Sequence, residues 1–227
     1  MAYRARGRNR GIKVSTAPGY RRDIDGLRAL AILPVLLFHI HVPGFSGGYV
    51  GVDIFFVISG FLITGIIARE IDAGQFSLVR FYERRARRIL PALLAMMVFV
   101  LAMASWLYLP GDFEGVPRSA LMTLLFLSNV WFFLNTGYFA GGAETMPLLH
   151  GWSLAVEEQF YIGFPLLLWL IARYAPNRRI AVLVLATLVS LGWAWLKQAD
   201  SDGFAFYLLP TRAWELFFGA LLALGAV

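Results

Sequence analysis

Between Arg28 and Thr64 the chain carries Arg28, His39 and Asp53 within two apolar runs that flank the stretch PGFSGG, residues 43–48. An imidazole takes a proton from a hydroxyl, a carboxylate fixes the imidazole tautomer, and a guanidinium holds an anion. Ionisable groups are expensive in hydrocarbon, so their presence in apolar runs points to a functional site. The Pro/Gly-rich break folds the runs into an antiparallel pair. Ser46, in the middle of that break, is equidistant in sequence from His39 and Asp53. Counting outward at about 1.5 Å per residue sets the two at one depth, where they would form a hydrogen-bonded pair. Arg28, eleven positions before His39, falls on the same side of its helix about 16 Å away. The competing reading of His39 is a hydrogen bond that only packs one helix on another. His41 points about 200° round the same helix and is assigned to the interface.

A second group sits in WSLAVEEQFY, residues 152–161, where Glu157 and Glu158 lie inside an apolar helix. With His150 at the outer interface, Glu157 lies about 10 Å deep, comparable with His39 and Asp53. One of the two carboxylates would serve the site and the other would pair structurally. Trp152 and Ser153, at the outer end of this helix, are assigned to substrate. The third group is RFYERRARRILP, residues 80–91, with the overlapping pairs Arg84/Arg87 and Arg85/Arg88 three residues apart. Each pair shares a helical face. Such a cluster either marks the cytoplasmic side of the membrane or forks onto phosphates such as those of coenzyme A. Arg212 and Glu215, also three apart, read as an intrahelical ion pair. Glycines 47, 48, 51, 60 and 65 allow turning and close helix approach. No nucleotide-binding loop, metal-ligand cluster or GxSxG elbow is present.

The elements that must position these groups are membrane helices. Of 227 residues, 59% are hydrophobic and 15% charged, and the mean hydropathy is +0.67, whereas soluble domains carry roughly 25% charged residues. There is no cysteine, which removes disulfides and thiolate chemistry. The net charge of +6 comes from basic residues beside apolar runs, so it reports topology rather than nucleic acid. Residues 1–22 read as a basic, disordered cytoplasmic tail and 23–227 as one transmembrane domain. Spans are expected near 24–42, with Pro34 in the interior, and near 50–68, 89–109, 151–172, 180–196 and 208–227. Pro91 would sit in the first turn of the third. The short apolar segment 121–134 is read as re-entrant or surface-lying. That assignment leaves only Arg118, Lys197 and Arg212 of the 20 basic residues away from the cytoplasmic side. The fold expected is all-α and polytopic, with about six spanning helices and one short extra helix. The last helix runs to the end of the chain, which predicts truncation.

In order, DIDGLRALAIL with His39, GGYVGVDIFFVISGFLI, YERRARRILPALL, LLHGWSLAVEEQFY and LPTRAWELFFGALL resemble the acyltransferase family 3 membrane proteins from Arg22 onward. The resemblance implies an Arg and a His eleven apart in the first helix, matched by Arg28 and His39. It also implies a cytoplasmic Arg-x-x-Arg, which Arg84/Arg87 or Arg85/Arg88 supplies. It further implies a multi-pass protein of the cytoplasmic (inner) membrane with a cytoplasmic N-terminus. Such a protein takes acyl groups, typically acetyl, from acyl-CoA and delivers them to hydroxyls of cell-surface glycans.

On this reading Arg84, Arg85, Arg87 and Arg88 hold the coenzyme phosphates and Arg28 steadies the donor at the inner end. His39, oriented by Asp53, deprotonates the acceptor hydroxyl, and Glu157 or Glu158 positions the sugar or relays protons. No metal is required, and the partners are membrane lipid, acyl-CoA and a glycan. The rival from another class is a proton-coupled transporter or flippase of a lipid-linked sugar or acyl donor.

Overall fold

The computed structural model describes residues 22–135, 146–199 and 203–225. Of the tail read as disordered, residues 1–22, Arg22 is instead the first residue of a helix, and the rest, with the outer-turn acids Asp200 and Asp202, lies outside the described residues. All regular structure described is helical: α1 Arg22–His39, α2 Gly51–Asp72, α3 Leu78–Leu107, α4 Pro110–Phe113, α5 Gly115–Leu124, α6 Ser128–Asn135, α7 Gly151–Tyr174, α8 Arg179–Lys197, α9 Phe204–Tyr207 and α10 Leu209–Ala223. Short 3-10 turns at Gly48–Val50 and Pro176–Arg178 lead into α2 and α8.

Among the described residues, four stretches are long and apolar enough to cross a membrane: Gly48–Asp72, Leu78–Leu107, Gly151–Tyr174 and Pro176–Lys197. α1 has 18 residues with acids in its first turn, and α10 has 15. Neither is among those four, α1 because of its charged first turns and α10 because it is shorter than about 17 residues. The outward faces of α3 and α8 carry exposed Phe99, Trp106, Leu188 and Trp195, as suits helices surrounded by lipid. The core lies where α2, α7 and α10 meet, around Phe56, Ile67, Val156, Phe164, Leu168 and Leu216.

α3 departs from the expected third span. Ser77 caps it, accepting from the Arg80 amide, so the arginine-rich segment is helical and continuous with the apolar part. Pro91 therefore lies well inside the helix. The ring removes a bond to the Arg87 carbonyl, whose residue is exposed and open to other partners. The segment 121–134 is likewise not one helix. α5 ends at Leu124 and α6 starts at Ser128, and with 10 and 8 residues neither can span. Phe126 takes a left-handed φ of 55° between them. The Leu127 amide bonds Met122 O at 2.8 Å and the Phe126 amide bonds Thr123 O at 3.1 Å, closing α5 as a Schellman turn without glycine. Gln159 of α7 donates to Phe126 O at 2.7 Å and to Asn129 Oδ1 at 2.7 Å. Asn129 in turn donates to Tyr207 O at 3.2 Å. The break is thus satisfied by protein, as a non-helical backbone beside lipid must be.

α1 ends the same way. His41, at φ 56°, is the left-handed residue, with Val42 N on Leu37 O and His41 N on Phe38 O, both at 3.0 Å. His41 has a terminating backbone role and its side chain is exposed.

The α1–α2 register corrects the depth match between His39 and Asp53. A Cβ on Gly48 would lie 2.1 Å from Pro34 O, and one on Gly51 would lie 2.0 Å from Ala31 O. The chain after α1 therefore folds back along it through the 3-10 turn instead of reversing symmetrically about Ser46. That register sets Asp53 level with about Ala29, some ten residues, or on the order of 15 Å, below His39.

Candidate active site

Most of the groups singled out in the sequence gather around two cavities. The outer one, about 360 Å³, is lined by His39, Asp53, Trp152 and Ser153, together with Tyr49, His150, Phe206 and Arg212. α1 supplies His39 as its last residue, α2 supplies Asp53 from its first turn, and α7 supplies Trp152 and Ser153.

His39 Nδ1 lies 2.7 Å from Val35 O. A carbonyl only accepts, so Nδ1 donates a proton there and Nε2 is the basic nitrogen. The residue that fixes the tautomer is thus Val35, one turn back on the same helix, and not Asp53. The His39 ring stands edge to face with His150, the centroids 4.3 Å apart. The Asp53 carboxylate is engaged by Arg212 of α10. Arg212 also reaches Glu215 at 3.2 Å, the intrahelical pair read from the sequence. Its guanidinium lies 5.5 Å from the Phe56 ring, 5.7 Å from Trp152 and 6.0 Å from Phe206, an aromatic enclosure that favours a planar cation.

His150 precedes α7, outside the span. Removal from water, and after it the neighbouring His39 imidazole, holds it below the ordinary histidine value. The folded pKa is depressed, so below about 6.5 the unfolded chain binds a proton that folded His150 resists. The stability it contributes is complete above that value and is lost as the pH falls. The thermal midpoint in detergent should drop more steeply from about pH 7.5 to about pH 5 for the unaltered protein than for His150→Gln. Parallel curves would contradict this.

The inner cavity, about 320 Å³, is lined by Arg28, Ser59, Arg85, Arg88, Glu157, Glu158 and Tyr161. Arg28 lies over the Phe55 ring at 5.3 Å. Arg85 bonds Glu158 at 2.6 Å and stacks 3.6 Å from the Tyr161 ring centroid. Tyr161 donates to Glu157 at 2.5 Å. Arg84 pairs with Glu70 and Arg87 with Glu83, each at 2.7 Å, and neither lines this cavity. Of the two overlapping pairs, Arg85/Arg88 is the one that faces it. Glu157, expected at the depth of His39, is instead, with Glu158, a neighbour of the arginines. Their position more than a full turn inward of Ser153 on α7 takes them past the outer cavity.

The sequence reading did not assign His150, Arg212, Tyr49 or Phe206 to the site. Only His150 left a signal, as one of three histidines in the chain placed two residues before Trp152. The partner of Asp53 is 159 positions away, beyond any local pattern.

The family model described as an acyltransferase domain matches residues 21–225. O-acetyltransferase OatA of Staphylococcus aureus is 36% identical over 212 residues, covering 91% of this chain and 35% of the relative. Peptidoglycan O-acetyltransferase OatA of Listeria monocytogenes is 36% identical over 210 residues, covering 90% of this chain and 34% of the relative. BcsY of Komagataeibacter xylinus is 38% identical over 204 residues, 89% of this chain and 50% of the relative. The chain spans about a third of the length of the OatA relatives and half that of BcsY. No solved structure matches. An all-helical, multi-pass membrane chain that fits the family pattern over nearly all its length, it belongs to the acyltransferase 3 family.

Proposed function

We propose that the protein transfers an acyl group, acetyl by analogy with the names of its OatA relatives, from cytoplasmic acyl-CoA to a hydroxyl of an extracytoplasmic glycan of the peptidoglycan type. The observation that carries this reading is the pair of cavities: arginines line one and a histidine with a defined basic nitrogen lines the other. α1 runs beside α2, and so does α10. On this reading both cross the membrane, giving six spans with the N-terminus in the cytoplasm.

Arg85, Arg88 and Arg28 bind the phosphates of the donor by charge-assisted hydrogen bonds. Glu157 and Glu158 act as counter-ions to these arginines. The acceptor sugar enters the outer cavity beside Trp152 and offers hydroxyls to Ser153 and Asp53, while Arg212 holds Asp53 in place. His39 Nε2 removes the proton from the acceptor hydroxyl as its oxygen attacks the thioester carbonyl. The new C–O bond forms, the C–S bond breaks, and the imidazolium returns its proton to the departing sulfur.

Arg85→Gln combined with Arg88→Gln should weaken acyl-CoA binding by about tenfold or more. Arg84→Gln with Arg87→Gln should weaken it far less, because those side chains point elsewhere. Binding of a labelled acyl-CoA to the full-length protein in detergent tests this; equal losses from the two double variants would remove the inner cavity from the donor site. The transfer itself is tested by mass spectrometry of the surface glycan with and without the full gene. Movement of a lipid-linked sugar without ester formation would favour transport.

A further inference from the structure

The two cavities come within one helical turn of each other on three helices. On α1, Ile32 lines the outer cavity and Arg28 the inner; on α2 the adjoining residues are Asp53 and Phe55; on α7 they are Ser153 and Leu154. The partition is therefore about one turn thick, on the order of 5 Å. Phe55 stands on its inner side, half-buried, with the Arg28 guanidinium over its ring at 5.3 Å. It packs on the small cluster of Ile24, Ala31 and Ile58, separate from the main core. Leu154 of α7 lines the same inner cavity and directly follows Ser153 of the outer one.

We propose that Phe55, with Leu154, is the gate between donor and acceptor cavities, and that its bulk sets the length of acyl group that passes. This rests on the acyl-transfer reading above. The thioester end of a donor held at Arg85 and Arg88 reaches His39 only by crossing this wall. The crossing group must displace an aromatic ring that is anchored on one face by a cation. A short acyl group fits past a tilted ring, whereas each added methylene must find room beside a side chain packed on Ile24, Ala31 and Ile58. Arg28 belongs to the donor site and to the gate together: a phosphate that draws its guanidinium off the Phe55 ring frees the ring to move. Donor binding and opening are thereby linked through one side chain.

The test uses the full-length protein in membranes, with acetyl-CoA and butyryl-CoA as competing donors and the acylated glycan as readout. Phe55→Ala should raise the ratio of butyryl to acetyl transfer by about tenfold, the discrimination that one or two methylenes command in an apolar site. Phe55→Leu should fall between. Phe55→Trp should lower acetyl transfer by about tenfold while acetyl-CoA binding stays within about twofold. The ratio is measured within one preparation, so loss of folded protein cancels from it. A ratio in Phe55→Ala within about twofold of the unaltered protein overturns the gate alone. Ester from neither donor with the unaltered protein overturns acyl transfer itself, and the gate with it.

Discussion

Replacing His39 by Gln should lower ester formation by roughly a hundred- to ten-thousandfold, the range that general base catalysis commands, and leave acyl-CoA binding within about twofold. Glutamine keeps the length and polarity of the side chain and loses the basic nitrogen. Of the donor arginines, Arg28 is about 16 Å away along α1 by helical rise, and Arg85 and Arg88 of α3 line the other cavity. A loss confined to turnover, in a protein that still unfolds at its usual temperature, is the outcome that supports the base. Unchanged turnover would dispose of it. Asp53→Asn provides the contrast. If Asp53 oriented His39, its loss would resemble that of His39 with the fold intact. Bonded instead to Arg212, which is only 13% exposed, it should act first on the amount of folded protein, because its removal leaves a largely buried guanidinium without its main counter-ion.

The second large effect is structural. α2 and α10 run in the same direction and cross through reciprocal glycines. A Cβ on Gly60 would lie 2.0 Å from Leu216 O, and a Cβ on Gly219 would lie 2.0 Å from Val57 O and 2.7 Å from Phe61 N. These are backbone atoms, unable to turn aside as a flexible side chain would. Gly219→Val must therefore push the helices apart along the seam that joins Asp53 to Arg212 and carries Phe56 and Leu216 into the core. The cost should be at least about 3 kcal/mol, seen as a large fall in the thermal midpoint and in yield from membranes. Gly65→Val, where an added Cβ meets nothing within 4 Å, serves as the control. A midpoint for Gly219→Val equal to that of the control would mean that the crossing is looser than described.

Much of this was legible in the sequence and some was not, for physical reasons. The all-helical architecture follows from apolar runs with few charges, and Arg28, His39, Asp53, Glu157 and Glu158 within those runs line the two cavities. Side-chain direction along α7 was less accessible. Ser153 and Glu157 differ by four residues, so they share a face, yet the step of about 6 Å along the axis takes them into different cavities. Depth was misjudged at the α1–α2 turn because composition tells that the chain reverses, not how much of it lies back along the first helix. The pairing of Asp53 with Arg212 and the fit of Gly219 on Val57 both join α2 to α10 across more than 150 positions, and neither has a local periodicity to betray it. The start of α3 is not legible from apolar content, which finds the lipid-facing part of a helix, whereas its actual beginning is set by Ser77 and by strong helix formers in the charged segment.

α7 carries obligations on several sides at once. Its first turn presents Trp152 and Ser153 upward, the middle offers Glu157 and Glu158 to the arginines below, and Gln159 stitches the broken segment between α5 and α6. Twisting this rod by a single residue, about 100°, would unmake all three arrangements together. It therefore behaves as the axle of the assembly, and any motion that admits or releases a ligand must be sought in the parts that pivot around it.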